Sequence, residues 1–238
     1  MLRRRGIAAL LALVVLFGIR AEEAAPKHLL DARDLIKKLD FAQNSYQHGN
    51  ADVAWNGQAH CHADCSGFLN AILKHSYGYD EAQLKRWFGA ARPNAARFHD
   101  AIVKHTGFTE IERMSDLRAG DILAVKYKQP AKNSGHILMI SGAPKAITAR
   151  KPLQDGTQQW EVPVIDSSES GHGPTDTRHA KGADGKDHDG VGEGVFRIYA
   201  GNDGKIVGYS WSLSSASHYI AKTENDLVAG RLVDDFKP

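Results

Sequence analysis

Apolar residues follow two regimes along the chain of 238 residues. In the first half they recur at three- and four-residue spacing. "DARDLIKKLDFA" places Ala32, Leu35, Ile36 and Leu39 on one helical face, with Asp31 as its N-cap. "DCSGFLNAILKHSYG" repeats the pattern with Phe68, Leu69, Ile72 and Leu73, and Gly78 falls where a helix C-terminus wants glycine. "DEAQLKRWFG" and "NAARFHDAIVKHTG" read as two more short helices, each ending at a glycine. From residue 117 the segments become short and rich in β-branched and aromatic residues: "DILAVKY", "HILMIS", "WEVPVIDS", "GVFRIYA" and "IVGYSWS". Helices followed by strands predict an α+β fold, N-terminal helices packed on an antiparallel β-sheet. One stretch fits neither regime. Residues 167–194, "SSESGHGPTDTRHAKGADGKDHDGVGEG", are rich in glycine and histidine and almost free of apolar side chains. They predict a long mobile loop, placed to act as a lid.

The N-terminus changes the picture of charge and compartment. Arg3, Arg4 and Arg5 precede an apolar run over residues 6–18, and Ala21 offers a small residue for cleavage. That run is short for a membrane span, so residues 1–21 read as a signal peptide and 22–238 as one exported domain, periplasmic or secreted. The full chain carries 30 basic and 28 acidic residues, a formal charge of +2. Removing the four arginines of residues 1–21 leaves 26 basic residues and a charge of −2. No electrostatic grip on nucleic acid follows from that, and none on a membrane once the signal is removed. A monomer without cofactor is expected.

The chemistry concentrates in "HCHADCSGFLNAIL", residues 60–73, which holds both cysteines of the chain. Three readings compete: a Cys61–Cys65 disulfide, a metal nest of His60, Cys61, His62 and Cys65, or one reactive thiol. With Asp64 as N-cap, Cys65 opens the helix, where the dipole favours a thiolate. Ionising a free thiol at neutral pH takes a shift of about two units, roughly 2.7 kcal/mol. The dipole supplies about 0.3–1 kcal/mol, so an imidazolium must supply the rest. His136 is the candidate: it opens the strand "GHILMIS" and shares a face with Leu138 and Ile140. If residues 136–141 and 160–166 pair as antiparallel strands, Asp166 falls beside His136 and can orient its ring. Tyr46 and Gln58 are candidate side-chain donors to an oxyanion, beside the backbone N–H of Cys65, and Ser66 is a candidate substrate contact. Arg178 in the long loop is the candidate grip on substrate carboxylates, whereas His172, His179 and His188 read as solvated loop residues.

These residues resemble a known family. "DCSGFLNAIL", then "DLRAGDILAVKY" and "SGHILMIS" in that order, are similar to the nucleophile helix and the following block of the NlpC-type cysteine peptidases, bacterial cell-wall hydrolases of the papain-like superfamily. The resemblance spans roughly residues 40–170. It implies a papain-like core and thiol-mediated cleavage of amide bonds in peptidoglycan stem peptides, with Cys65 as nucleophile and His136 as base. The chain departs from the family pattern at the tyrosine that precedes the cysteine. Tyr46 lies further upstream, in "NSYQHGN", without the usual glycine pair. Nor does a second histidine follow His136 closely, which leaves Asp166 as the orienting group. Two other functions stay open at this point: a non-catalytic exported module that binds peptidoglycan or a metal, and a thiol acyltransferase.

Overall fold

The computed structural model describes residues 24–128, 133–180, 185 and 187–238; the expected signal peptide lies outside them. Four helices come first: α1 (Lys27–Lys38), α2 (Cys65–Tyr77), α3 (Glu81–Phe88) and α4 (Ala95–Val103). Between α1 and α2 stand three short strands, β1 (Asn44–Ser45), β2 (Asp52–Ala54) and β3 (His60–His62). The remaining strands are β4 (Phe108–Ile111), β5 (Ile122–Tyr127), β6 (Gly135–Ile140), β7 (Lys145–Ile147), β8 (Thr157–Ser168), β9 (Gly190–Gly201), β10 (Ile206–Ser210), β11 (Ile220–Ala221) and β12 (Asn225–Leu232). Among the described residues no helix is long and apolar enough to cross a membrane.

Local chemistry sets the helix ends. The Asp64 carboxylate accepts from the Gly67 N–H at 2.7 Å, and Gly78 ends α2 at φ 71°. Asp80 and Asn94 cap α3 and α4 in the same way. One expected cap is corrected: α1 starts after Pro26, and Asp31 sits inside it, accepting from Lys27 and Ser76 at 2.6 Å each. Proline without a free N–H suits a helix start, where no intrahelical partner exists.

The nine-stranded sheet has the order β11-β10-β9-β8-β6-β5-β12-β4, with β7 on β8, and every pair in it is antiparallel. The fold is α+β. The sheet also curls until its ends meet. Arg113 bridges Lys205, Met114 N donates to Gly204 O at 3.1 Å, and Ile206 N donates to Glu112 O at 3.0 Å. The result is a barrel with two cores. Leu123, Val125, Leu138, Ile140, Val162, Val164, Phe196 and Ile198 fill its interior. The alternate residues Ile122, Ala124, Ile137, Met139 and Ile165 face outward, packed with Leu35, Phe68, Ile72 and Phe98 of the helices. Phe68, Leu69, Ile72 and Leu73 of α2 are all buried, and each contributes about 1.5–3 kcal/mol. The Asp64 cap is worth about 1 kcal/mol. Packing therefore holds α2 on the barrel, and the cap decides where it begins.

The long loop is shorter than its composition predicts. Residues 167–168 extend β8 and 190–194 begin β9, paired from Thr157↔Gly201 to Ser168↔Gly190. Residues 181–184 and 186 lie outside the described residues.

Candidate active site

Cys65 is the first residue of α2 and is 5% exposed. Its own N–H precedes the first intrahelical bond and is free to face a ligand. The approach to α2 is pinned to the barrel: Ser167 Oγ donates to Ala63 O at 2.6 Å, and Asn44 exchanges two bonds with the backbone of Val191 at 2.8 Å. Strand alternation in β3 splits the cluster that precedes Cys65. His60 and His62 lie side by side with ring centroids 5.7 Å apart, bonded to Asp52 at 3.0 Å and Ser45 at 2.7 Å. Cys61 points the other way into the core, where burial pushes its thiol up to about 12. Both cysteines are free thiols. The disulfide is absent, and the four donors of the supposed metal nest do not converge.

His136 and Asp166 meet at one mouth of the barrel, for a reason visible in the alternation. Leu138 and Ile140 point inward from β6, so His136 does too; Val162 and Val164 point inward from β8, so Asp166 does too. The strands pair antiparallel through Met139↔Ile165 and Ile140↔Val164. His136 Nε2 donates to Asp166 Oδ2 at 2.6 Å, and the ring stands edge-on to Trp211 at 5.3 Å. Gly135 is required beside it: its φ is 148°, and a Cβ there would lie 1.9 Å from Val125 O. With Nε2 committed, Nδ1 is the nitrogen left for Cys65, which lies within hydrogen-bonding reach. Burial pulls the imidazolium down, but the Cys65 charge and the bonds to Asp166 and Cys65 outweigh it, so His136 is pushed up to about 10.

Behind the pair lies a buried charge network that takes in His172 and Arg178, both expected at the loop surface. Asp166 Oδ2 also accepts from His172 Nε2 at 2.8 Å, and Oδ1 accepts from Arg178 Nη2 at 2.9 Å. Burial raises its carboxyl, yet His172, Arg178 and His136 hold it well below the usual range. Asp176 takes Arg178 Nε and Nη2 at 2.9 and 2.8 Å. Arg178 is 2% exposed and also donates to the Asp166 and Gly190 carbonyls. Its expected role as a solvent-facing grip on substrate carboxylates is therefore corrected: every direction of its guanidinium is spent inside the protein. The same correction applies to His172, which is 4% exposed. Only His179 and His188 stay near the surface, against Asp187 and the Phe41 ring. Space for the network comes from Gly192 and Gly194 of β9. A Cβ at Gly192 would lie 2.8 Å from Arg178 Nε, and one at Gly194 would lie 2.2 Å from Asp176 Oδ2. The "GVGEG" run, read as loop, is a strand whose inward face is vacated for loop side chains.

The thiol opens on a cleft with two lobes of about 340 and 330 Å³. Tyr46, His48 and Asn133 line both; Ser66 and Asn94 belong to the first, His172 and Trp211 to the second. Tyr46 is half-buried beside Cys65, and burial followed by the Cys65 charge holds its hydroxyl protonated. Ser66 donates to Asp64 Oδ1 at 3.0 Å. Gln58 is corrected: it is exposed at the tip of the β2–β3 hairpin, away from the base that leads into Cys65. A larger cavity of about 720 Å³, around Ala24–Pro26 and Arg231, lies at the opposite end of β6 and holds none of these groups. His136, Asp166 and His172 present ligand atoms within 4.8 Å of one another. Their contacts of 2.6 and 2.8 Å are charge-assisted hydrogen bonds. Ligands of a tetrahedral zinc stand about 3.3 Å apart, so these three are arranged around protons.

The chain is 36% identical over 223 residues to Uncharacterized protein R653 of Acanthamoeba polyphaga mimivirus, covering 87% of this chain and 96% of that protein. No protein-family model matches the chain. No solved structure matches it.

Proposed function

Since the chain belongs to the family of the mimivirus protein R653, whose name assigns no activity, we propose its function from the site: a cysteine hydrolase that opens amide bonds through an acyl-enzyme. The observation that carries this is Cys65 at a helix N-terminus, paired with a His136 whose other nitrogen is fixed on buried Asp166 at 2.6 Å. The Cys65 thiolate attacks the substrate carbonyl carbon, and its oxygen takes the charge. Donors for that oxyanion are the free N–H of Cys65 and the protonated hydroxyl of Tyr46. His136 passes its Nδ1 proton to the leaving amine as the C–N bond breaks, forming the thioester. It then takes a proton from water, which attacks the thioester and restores the thiolate and imidazolium. Asp166 keeps Nε2–H in place throughout, so only Nδ1 exchanges protons.

The resemblance of "DCSGFLNAIL" and "SGHILMIS" to NlpC-type peptidases supports a papain-like core and peptidoglycan stem peptides as substrate, met in the periplasm or outside the cell. The two lobes flanking Cys65 give room for peptide on both sides of the bond. The test is to incubate the mature chain and Cys65→Ala with purified peptidoglycan fragments and weigh the products. New termini made by the first protein and not by the second are expected. Identical product spectra overturn the proposal.

A further inference from the structure

His172 takes no part in the steps above, yet it is as buried as the residues that do. We propose that His172 is a positioning residue: by sharing one carboxylate oxygen of Asp166 with His136, it limits how tightly His136 holds its proton. The role rests on reading Cys65 and His136 as the reactive pair.

The argument is a count of hydrogens. His172 Nδ1 faces Trp211 O at 2.9 Å, and a carbonyl can only accept. Nε2 faces Asp166 Oδ2 at 2.8 Å, and an ionised carboxylate can only accept. Both ring nitrogens of His172 therefore carry hydrogen. A neutral ring would set a lone pair against one of these acceptors in a buried site. Nor can the ring turn away. It stacks on Trp211 at 6.1 Å, meets Phe196 edge-on at 6.1 Å, and its backbone N–H is fixed on Asp176 Oδ2 at 2.7 Å.

Two protonated rings thus converge on Oδ2, their centroids 6.3 Å apart. His136 must hold its proton well enough to keep Cys65 ionised, and release it to the leaving amine. A sole claim on Asp166 would favour holding. His172 weakens that claim by taking half of the oxygen and by adding a like charge. The titratable groups around His172 are Asp166 from β8, Asp176 and Arg178 from its own loop, His136 from β6, and Glu169, His48, Tyr46 and Tyr127 along the cleft. Phe196 of β9 adds no charge, and on the β10 side neither does Trp211; the Tyr209 hydroxyl is kept protonated by burial.

The test is nuclear magnetic resonance of ring-labelled histidines in the full protein and in His172→Gln, which keeps a donor for Asp166 and loses the charge. The His136 titration midpoint should move up by about one to two pH units, the scale of a like charge at this distance in a protein interior. An unchanged or lowered midpoint overturns the proposal. In the unaltered protein both His172 nitrogens should show bonded hydrogens. This decides the matter if His172→Gln does not fold, and a bare nitrogen there overturns it. Peptidoglycan fragments left uncut beside a shifted midpoint would remove the hydrolase reading and leave the coupling. Cut fragments beside an unmoved midpoint would do the reverse.

Discussion

Gly194→Ala sets two effects of opposite sign against each other. Gly194 has no positive φ, so alanine fits its backbone. Loss of unfolded-state entropy alone would then stabilise the protein by about 0.4–1 kcal/mol. The structure opposes this. The new Cβ would lie 2.2 Å from Asp176 Oδ2 and 2.9 Å from His172 Cβ, on a strand whose register with Val164 leaves no freedom to retreat. Asp176 must give way, and with it two of the charged bonds that hold Arg178. Breaking a buried pair costs about 3–5 kcal/mol, so a net loss of about 2–4 kcal/mol is expected. Urea unfolding measures it, with Gly201→Ala as control, since the nearest atom there is a carboxylate oxygen of Asp203 at 3.2 Å. In an Asp176→Ala background the contact with the carboxylate is gone and only the His172 Cβ at 2.9 Å remains, so Gly194→Ala should cost less, giving coupling in a double-mutant cycle. A Gly194→Ala protein as stable as the parent, or costs that simply add, would refute the reasoning.

The site yields further expectations. Asp166→Asn faces three donors with one acceptor oxygen, so both turnover and stability should fall, the latter by about 3–5 kcal/mol in unfolding experiments. Cys65→Ala removes the largest influence that raises His136, and the His136 midpoint should drop from about 10 in a resonance titration. Because the His136 midpoint lies above its unfolded value, its stabilisation is full below about pH 6.5 and fades as pH rises through 10. Asp166 is depressed, so its contribution is present above about pH 3.9 and is lost as pH falls through its folded value. Unfolding free energy measured against pH should therefore decline at both ends, and at the alkaline end earlier in Cys65→Ala. Tyr46→Phe should lower kcat by about 10²-fold with little change in KM, if its hydroxyl serves the oxyanion; an unchanged kcat would strike Tyr46 from the mechanism.

Where the chain's logic is local, the sequence was readable. Asp64, Asp80 and Asn94 announce helix starts and Gly78 a helix end, because caps act within four residues. The convergence of His136 and Asp166 is legible in period-two alternation once β6 and β8 pair antiparallel. Strands β1–β4, β7, β11 and β12 and the start of β9 have no counterpart in the apolar pattern. In β12 only Leu227, Val228 and Ala229 are apolar in a row, and Gly230 interrupts the pattern because Ile102 of α4 needs the space, a Cβ there lying 2.6 Å from it. The start of β9 looked like loop for the same reason, since Gly192 and Gly194 answer to Arg178 and Asp176 far away in the chain. The burial of Arg178 and His172 is not legible, because a charged residue in a polar stretch is ordinarily solvated. Their carboxylate partners, Asp166 and Asp176, lie within twelve residues, but only the folding of the loop back onto β8 and β9 buries them together.

The barrel closes where Arg113 meets Lys205, and the setting of Cys65 beside His136 depends on strands and a loop far from Cys65 in sequence. None of the partners of Cys65 is a neighbour in the chain, so an unfolded polypeptide carries an ordinary free thiol. The surroundings of Cys65 are complete only with the long-range pairings of β6, β8 and β9, the slow class of contacts in folding. If Cys65 is the proposed nucleophile, completion of the fold is its activation step. For the proposed hydrolase, a chain synthesised only as far as β8 would lack the site, and the timing of its appearance would be set by the rate at which the last strands find each other.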